Sequence, residues 1–159
     1  MSHTIAICNL KSFASYIATG HLASAATKYT QLLHDERLCL PELYLQMPET
    51  AWQAKCHNNL KILLYSLSGN QSFKAIEEYF YLWYPGHLEN SCLYKITTDE
   101  ILLFFHLHKQ LLLHYLAQYT DKVSEAVSIT SDLENIFIKA GRKILHVHEK
   151  RQQDSLVKN

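Results

Sequence analysis

The sequence is poor in the two residues that most often interrupt helices. Four glycines and three prolines are all that its 159 residues contain. Average usage of the two together is about 12%, so few positions are suited to tight turns. A sandwich of short strands needs a turn signal roughly every 8–12 residues. The scarcity therefore excludes that class and predicts an all-α fold of long helices.

The chain also lacks a net charge, long apolar runs and closely spaced cysteine pairs. Fifteen basic residues balance fifteen acidic ones, which argues against a general nucleic-acid binder. No run approaches the roughly 18 apolar residues of a membrane span, and residues 1–4 lack the charged n-region and long apolar core that are typical of a signal peptide. Four scattered cysteines without a CxxC pair exclude a zinc ribbon or a thioredoxin site. We expect one cytoplasmic domain that contacts neither membrane nor nucleic acid.

Catalytic and metal-binding motifs are absent as well. The sequence has no GxSxG, no phosphate-binding glycine loop and no HExxH, so we expect no enzymatic activity. The ten histidines include no pair four residues apart. His106 and His108 are two apart and cannot share a helix face. Surface or hydrogen-bonded core histidines are the expected reading, and pH sensing near neutrality is the alternative.

Apolar spacing and the few breakers predict the helices. The clearest start is at Thr97, because Thr97 and Glu100 have the spacing of a capping box. Gly141 is not expected to stop the last helix, since Ile144 and Val147 keep its phase. The predicted helices cover residues 5–18, 22–38, 48–68 and 72–84, then a central helix from Thr97 and a long last helix from about Thr120. We expect Leu64, Phe104, Phe105 and Leu112 in the core.

The apolar row of the last helix is longer than one small core needs. It comprises Val123, Val127, Leu133, Ile136, Phe137, Ala140, Ile144 and Val147. Long exposed apolar rows usually mark interfaces, and two-fold dimers are the commonest assembly. We therefore predict a homodimer whose interface includes Ile136, Phe137, Ala140, Ile144 and Val147. The alternative is that Ile144 and Val147 fold back onto residues 5–13.

Three stretches carry a resemblance to a known family: the helix at residues 59–64 with its end at 68–70, the turn at 94–101, and the last helix at 143–150. They resemble the sensor-globin group, which includes globin-coupled sensors and the non-haem globin domains of RsbR-type stressosome proteins. The resemblance covers residues 29–150. It implies a globin-like bundle (residues 1–148) that dimerises, senses a stress signal and joins protein partners of a signalling complex. Residues 149–159 would then be a polar linker towards a downstream output module.

The same resemblance bears on haem, and no cofactor is the primary expectation. Haem-binding members have a proximal histidine just before the turn that opens the next helix, where this chain has residues 91–94 and no histidine. His87 lies about one turn upstream, Cys92 lies near the expected place, and Tyr29 falls near the family's distal tyrosine. A haem-based gas or redox sensor using these residues is one alternative function. A helical adaptor unrelated to globins is another.

Overall fold

The structure is a computed structural model that describes residues 2–36, 48–69, 72–83 and 96–157. Within these ranges the chain is helical and has no strand, which confirms the all-α fold class. No helix in them is both long and apolar enough to cross a membrane. The helices are α1 Ser2–Gly20, α2 Leu22–Asp35, α3 Glu49–Ser68, α4 Ser72–Trp83, α5 Thr98–His114, α6 Leu116–Tyr119 and α7 Val123–Val157.

The central helix, α5, begins as the sequence predicts. The backbone N–H of Glu100 donates to the Thr97 hydroxyl at 3.1 Å. The backbone N–H of Thr97 donates in turn to Glu100 Oε2 at 2.9 Å. Two N–H groups without a partner inside the helix are thereby satisfied. The predicted capping box is confirmed.

The long last helix, α7, passes through Gly141 without a break, as its apolar phase predicts. The glycine is buried against α5. A Cβ at this position would lie 3.7 Å from the Phe105 ring. Gly141 therefore sits at the contact between α5 and α7.

Helices α4 and α5 both pack against the long helix α7. Between α5 and α7, Lys109 pairs with Glu134 at 3.2 Å, while Ile96 just before α5 bonds to the far end of α7. Between α4 and α7, Glu77 pairs with Lys143 at 2.9 Å. The predicted core residues Leu64, Phe104, Phe105 and Leu112 are all buried, which confirms their placement.

The first turns of α7 lie outside the core. Val123 and Val127 belong to the predicted apolar row of this helix, and they are 77% and 62% exposed. Because Lys109 of α5 lies beside Glu134, α5 reaches its end at His114 before it can cover these two valines. Helical spacing identified the correct face of α7, but the covering helix stops too early.

The other end of α7 remains packed beyond residue 148. Gln152 Nε2 donates to the carbonyl oxygen of Ile96 at 3.3 Å, and the helix runs on to Val157. Gln152 thus contacts the bundle, whereas Glu149 and Lys150 are exposed; the linker at residues 149–159 stays a prediction. The predicted helix ends at residues 38 and 84, and the segment 87–94, lie outside the described residues.

Candidate functional site

Three helices bring three buried polar side chains into contact at the centre of the bundle. Tyr29 comes from α2, Tyr79 from α4 and His108 from α5, and all three are buried. The Tyr29 hydroxyl lies 2.7 Å from His108 Nε2, and the Tyr79 hydroxyl lies 3.0 Å from the same nitrogen. The two hydroxyls are 3.2 Å apart. We refer to Tyr29, Tyr79 and His108 as the buried triad.

The hydrogen-bond network fixes the tautomer of His108. Its Nδ1 lies 2.8 Å from the carbonyl oxygen of Phe104, one turn earlier on α5. A carbonyl can only accept, so Nδ1 carries the proton and Nε2 is the acceptor in the neutral ring. Tyr29, with the shorter distance, donates to Nε2. Tyr79 then donates to the Tyr29 oxygen, and every polar hydrogen of the buried triad has an acceptor.

Burial keeps the buried triad neutral. Desolvation lowers the pKa of His108 to about 4, although the bond to the Phe104 carbonyl opposes this shift. Desolvation, followed by the neighbouring Tyr79, raises the pKa of Tyr29 well above its ordinary value. Acid–base catalysis works best with a pKa near the working pH. These pKa values instead suit a fixed hydrogen-bond network that holds α2, α4 and α5 together.

Aromatic rings enclose His108 on several sides. The rings of Phe104 and Phe80 meet the imidazole edge-on, with centroids 4.5 Å and 5.2 Å away. Phe80 also packs on Phe105 and Phe137, at 4.2 Å and 5.5 Å. Edge-to-face pairs of this kind are favourable. The surroundings of His108 are therefore apolar apart from its own hydrogen-bond partners.

Two further polar groups are buried on α3. Desolvation raises the pKa of the Cys56 thiol to about 11, although a hydrogen bond with Thr30 lowers it in part. Because the thiolate is the reactive form of cysteine, Cys56 is unreactive at neutral pH. Asn59 is also buried, and its Nδ2 has no hydrogen-bond partner among the described residues.

Of the residues implied for haem, only Tyr29 lies in the described part of the chain; His87 and Cys92 lie outside it. The Tyr29 hydroxyl is shared between His108 and Tyr79 and is fully buried. To face a haem, it would have to leave both partners. The observed arrangement of Tyr29 does not fit the role of a distal haem residue.

The five residues predicted for a dimer interface divide into two groups. Phe137, Ala140 and Ile144 are buried in the core of their own chain. Their assignment to an interface is corrected, because the helices packed against α7 already cover them. Ile136 and Val147 are half-buried and pack against the same core. The homodimer stays a prediction.

Sequence reasoning does not bring the buried triad together. Tyr29 is implied by the haem resemblance, His108 is considered for its spacing from His106, and Tyr79 is not singled out. A usable signal was present: a histidine at an apolar position of a strongly apolar helix must find a partner when buried. Which partner it finds depends on helix packing, which spacing alone does not give.

No set of three or more His, Cys, Asp or Glu side chains that could hold a metal ion occurs in the described ranges. Comparisons with protein-family models, curated proteins and solved structures find no match to the chain. Inferences about function therefore rest on the sequence and the structure.

Proposed function

We propose that the chain is a regulatory, sensory domain of the stress-response type, which forms a homodimer and passes a signal through α7. The observation that carries the proposal is the length and position of α7. Its 35 residues span about 52 Å at 1.5 Å per residue. It packs against α1, α4 and α5 and is the last helix of the chain. A movement of α7 would reach most of the bundle.

The surface proposed for the second copy lies along α5 and α7. Leu102 of α5 and Ile138 of α7 are 49% and 46% exposed. Leu102 lies two turns from Lys109, and Ile138 lies one turn from Glu134. Because Lys109 and Glu134 pair across the two antiparallel helices, Leu102 and Ile138 fall on the same side of the ion pair. We refer to Leu102 and Ile138 as the outer patch.

The outer patch suits a two-fold dimer. A two-fold axis brings the same surface of both copies together, so four exposed apolar side chains would cover one another. A displacement of about 1–2 Å at such an interface is enough to transmit a signal between packed helices. Protein partners of a signalling complex in the cytoplasm would respond to the position of α7. The sensor-globin resemblance supports the same reading.

Sedimentation velocity at micromolar concentration tests the dimer. We expect a dimer for the wild type and a monomer for Leu102→Glu and Ile138→Glu, because a buried charge without a partner opposes association. Tyr65→Glu is the control, since Tyr65 is an exposed apolar residue on α3 and should leave the dimer intact. A monomeric wild type would contradict the dimer. A dimer that survives both outer-patch substitutions would place the interface elsewhere.

The haem-sensor alternative makes a different prediction. It requires Tyr29 to leave the buried triad, so a haem-loaded protein should lose the Tyr29 hydrogen bonds to His108 and Tyr79. We expect no Soret absorption after purification with haem supplied. A Soret band that weakens in Tyr29→Phe would instead favour the haem sensor.

A further inference from the structure

One backbone carbonyl just before α5 receives two side chains from α7. The oxygen of Ile96 accepts a hydrogen bond from His148 Nε2 at 2.8 Å and another from Gln152 Nε2 at 3.3 Å. His148 and Gln152 are one helical turn apart, so they lie on the same face of α7. A carbonyl oxygen has two lone pairs. The two donors together fill its accepting capacity.

The residue that carries this carbonyl is held firmly on the α5 side too. The Ile96 side chain is fully buried. The next residue, Thr97, is the N-cap of α5 and exchanges two hydrogen bonds with Glu100. The Ile96–Thr97 peptide is thus fixed both to the first turn of α5 and to the last turns of α7. A displacement of either helix end strains the same peptide.

We propose that Ile96, His148 and Gln152 form a clasp that makes the end of α7 and the start of α5 open and close as one unit. The clasp is built within one chain, so it requires neither a dimer nor a partner. Its use in signalling rests on the proposed function: a pull on residues 153–157 would reach α5 through it. Failure of the dimer would leave the clasp itself intact.

Two donors on one acceptor give the clasp a distinctive energetic signature. When one donor is removed, the buried carbonyl keeps the other. When both are removed, the carbonyl is left without either side-chain donor, and an unsatisfied buried polar group costs more than a lost hydrogen bond. The effects of the two substitutions must therefore combine more than additively.

Amide hydrogen exchange, followed residue by residue by NMR, tests the clasp. The variants are His148→Phe and Gln152→Met, which each replace the donor by an apolar side chain of similar shape, together with their double variant. The control is Gln153→Met, at an exposed position adjacent to Gln152. The probes in α5 are the amides of Glu100 and Ile101, which bond to Thr97. The probes in α7 are the amides of residues 149–156.

We expect each single variant to speed exchange at both helix ends by about fivefold, the effect of one hydrogen bond. The double variant should exceed the product of the two single effects, again at both ends, and Gln153→Met should match the wild type. Faster exchange in α7 alone would overturn the clasp, and so would a double variant equal to the product. If His148→Phe does not fold, Gln152→Met alone decides. Faster exchange at both helix ends would support the clasp, and faster exchange in α7 alone would overturn it.

Discussion

His108 and His148, the two histidines that are buried in the described ranges, hold different parts of the bundle by different means. His108 lies at the centre of the bundle, where it accepts a hydrogen bond from a hydroxyl and donates one to a carbonyl of its own helix. His148 lies near the end of α7 and donates to a carbonyl that precedes another helix. Burial lowers the pKa of both rings. The centre therefore joins separate helices through contacts between side chains, whereas the edge joins two helices through a side chain and a backbone carbonyl.

The largest effect is expected from a substitution that leaves a cavity in the core. Phe105 is buried against Phe80 and Phe137, so Phe105→Ala should lower the free energy of unfolding by about 3–5 kcal/mol. Gln110→Ala, on the exposed side of the same helix, is the matched control and should cost less than about 1 kcal/mol. Urea unfolding monitored by circular dichroism measures both. Equal losses would mean that α5 is not the central helix.

The next largest effect is expected when the pH is lowered, because His108 at the centre of the bundle is then protonated. An unfolded histidine has a pKa of about 6.5, while native His108 has a pKa of about 4. At pH values between these two, the imidazole of His108 is protonated in the unfolded chain but not in the native chain. The free energy of unfolding therefore falls as the pH falls. By pH 4 the loss from His108 is about 3 kcal/mol, and His148 adds to it in the same direction.

The control for this pH dependence is His108→Phe, in which the part of the slope that belongs to His108 is removed. Unfolding free energies at several pH values between 7 and 4 give both profiles. Identical slopes in the variant and the wild type would show that His108 is not the group responsible.

Smaller effects are expected from the two tyrosines. Tyr29→Phe should cost about 1 kcal/mol, because the Tyr79 hydroxyl lies 3.0 Å from His108 Nε2 and can donate in its place. Tyr79→Phe should cost about the same or less, since Tyr29 keeps its bond. The double variant leaves Nε2 without a hydroxyl donor, so a double-mutant cycle should give a total above the sum. An additive cycle would mean that the hydroxyls act independently.

The sequence predicted what depends on local chemistry and helical period. The capping box at Thr97, the continuity of α7 through Gly141 and the core positions of α5 all follow from short-range rules. The outcome at Val123 and Val127 does not, because it depends on where α5 stops. The same holds for Phe137 and Ile144: their apolar row was recognised, but whether a neighbouring helix or a second copy covers it is a matter of packing.

The buried triad was beyond prediction for a further reason. Tyr29 and His108 are 79 residues apart in sequence, and the antiparallel packing of α2 on α5 brings them together. The clasp depends in the same way on the pairing of α5 with α7. Polar contacts between distant helices need a register, which composition and spacing leave open.

The state of the His108 ring tests the central site most directly. Nitrogen-15 NMR of the imidazole across a pH series reports both the tautomer and the pKa. The account predicts a proton on Nδ1, none on Nε2 at pH 7, and titration with a pKa of about 4. A proton on Nε2 at pH 7, or titration near the ordinary value of about 6.5, would contradict it.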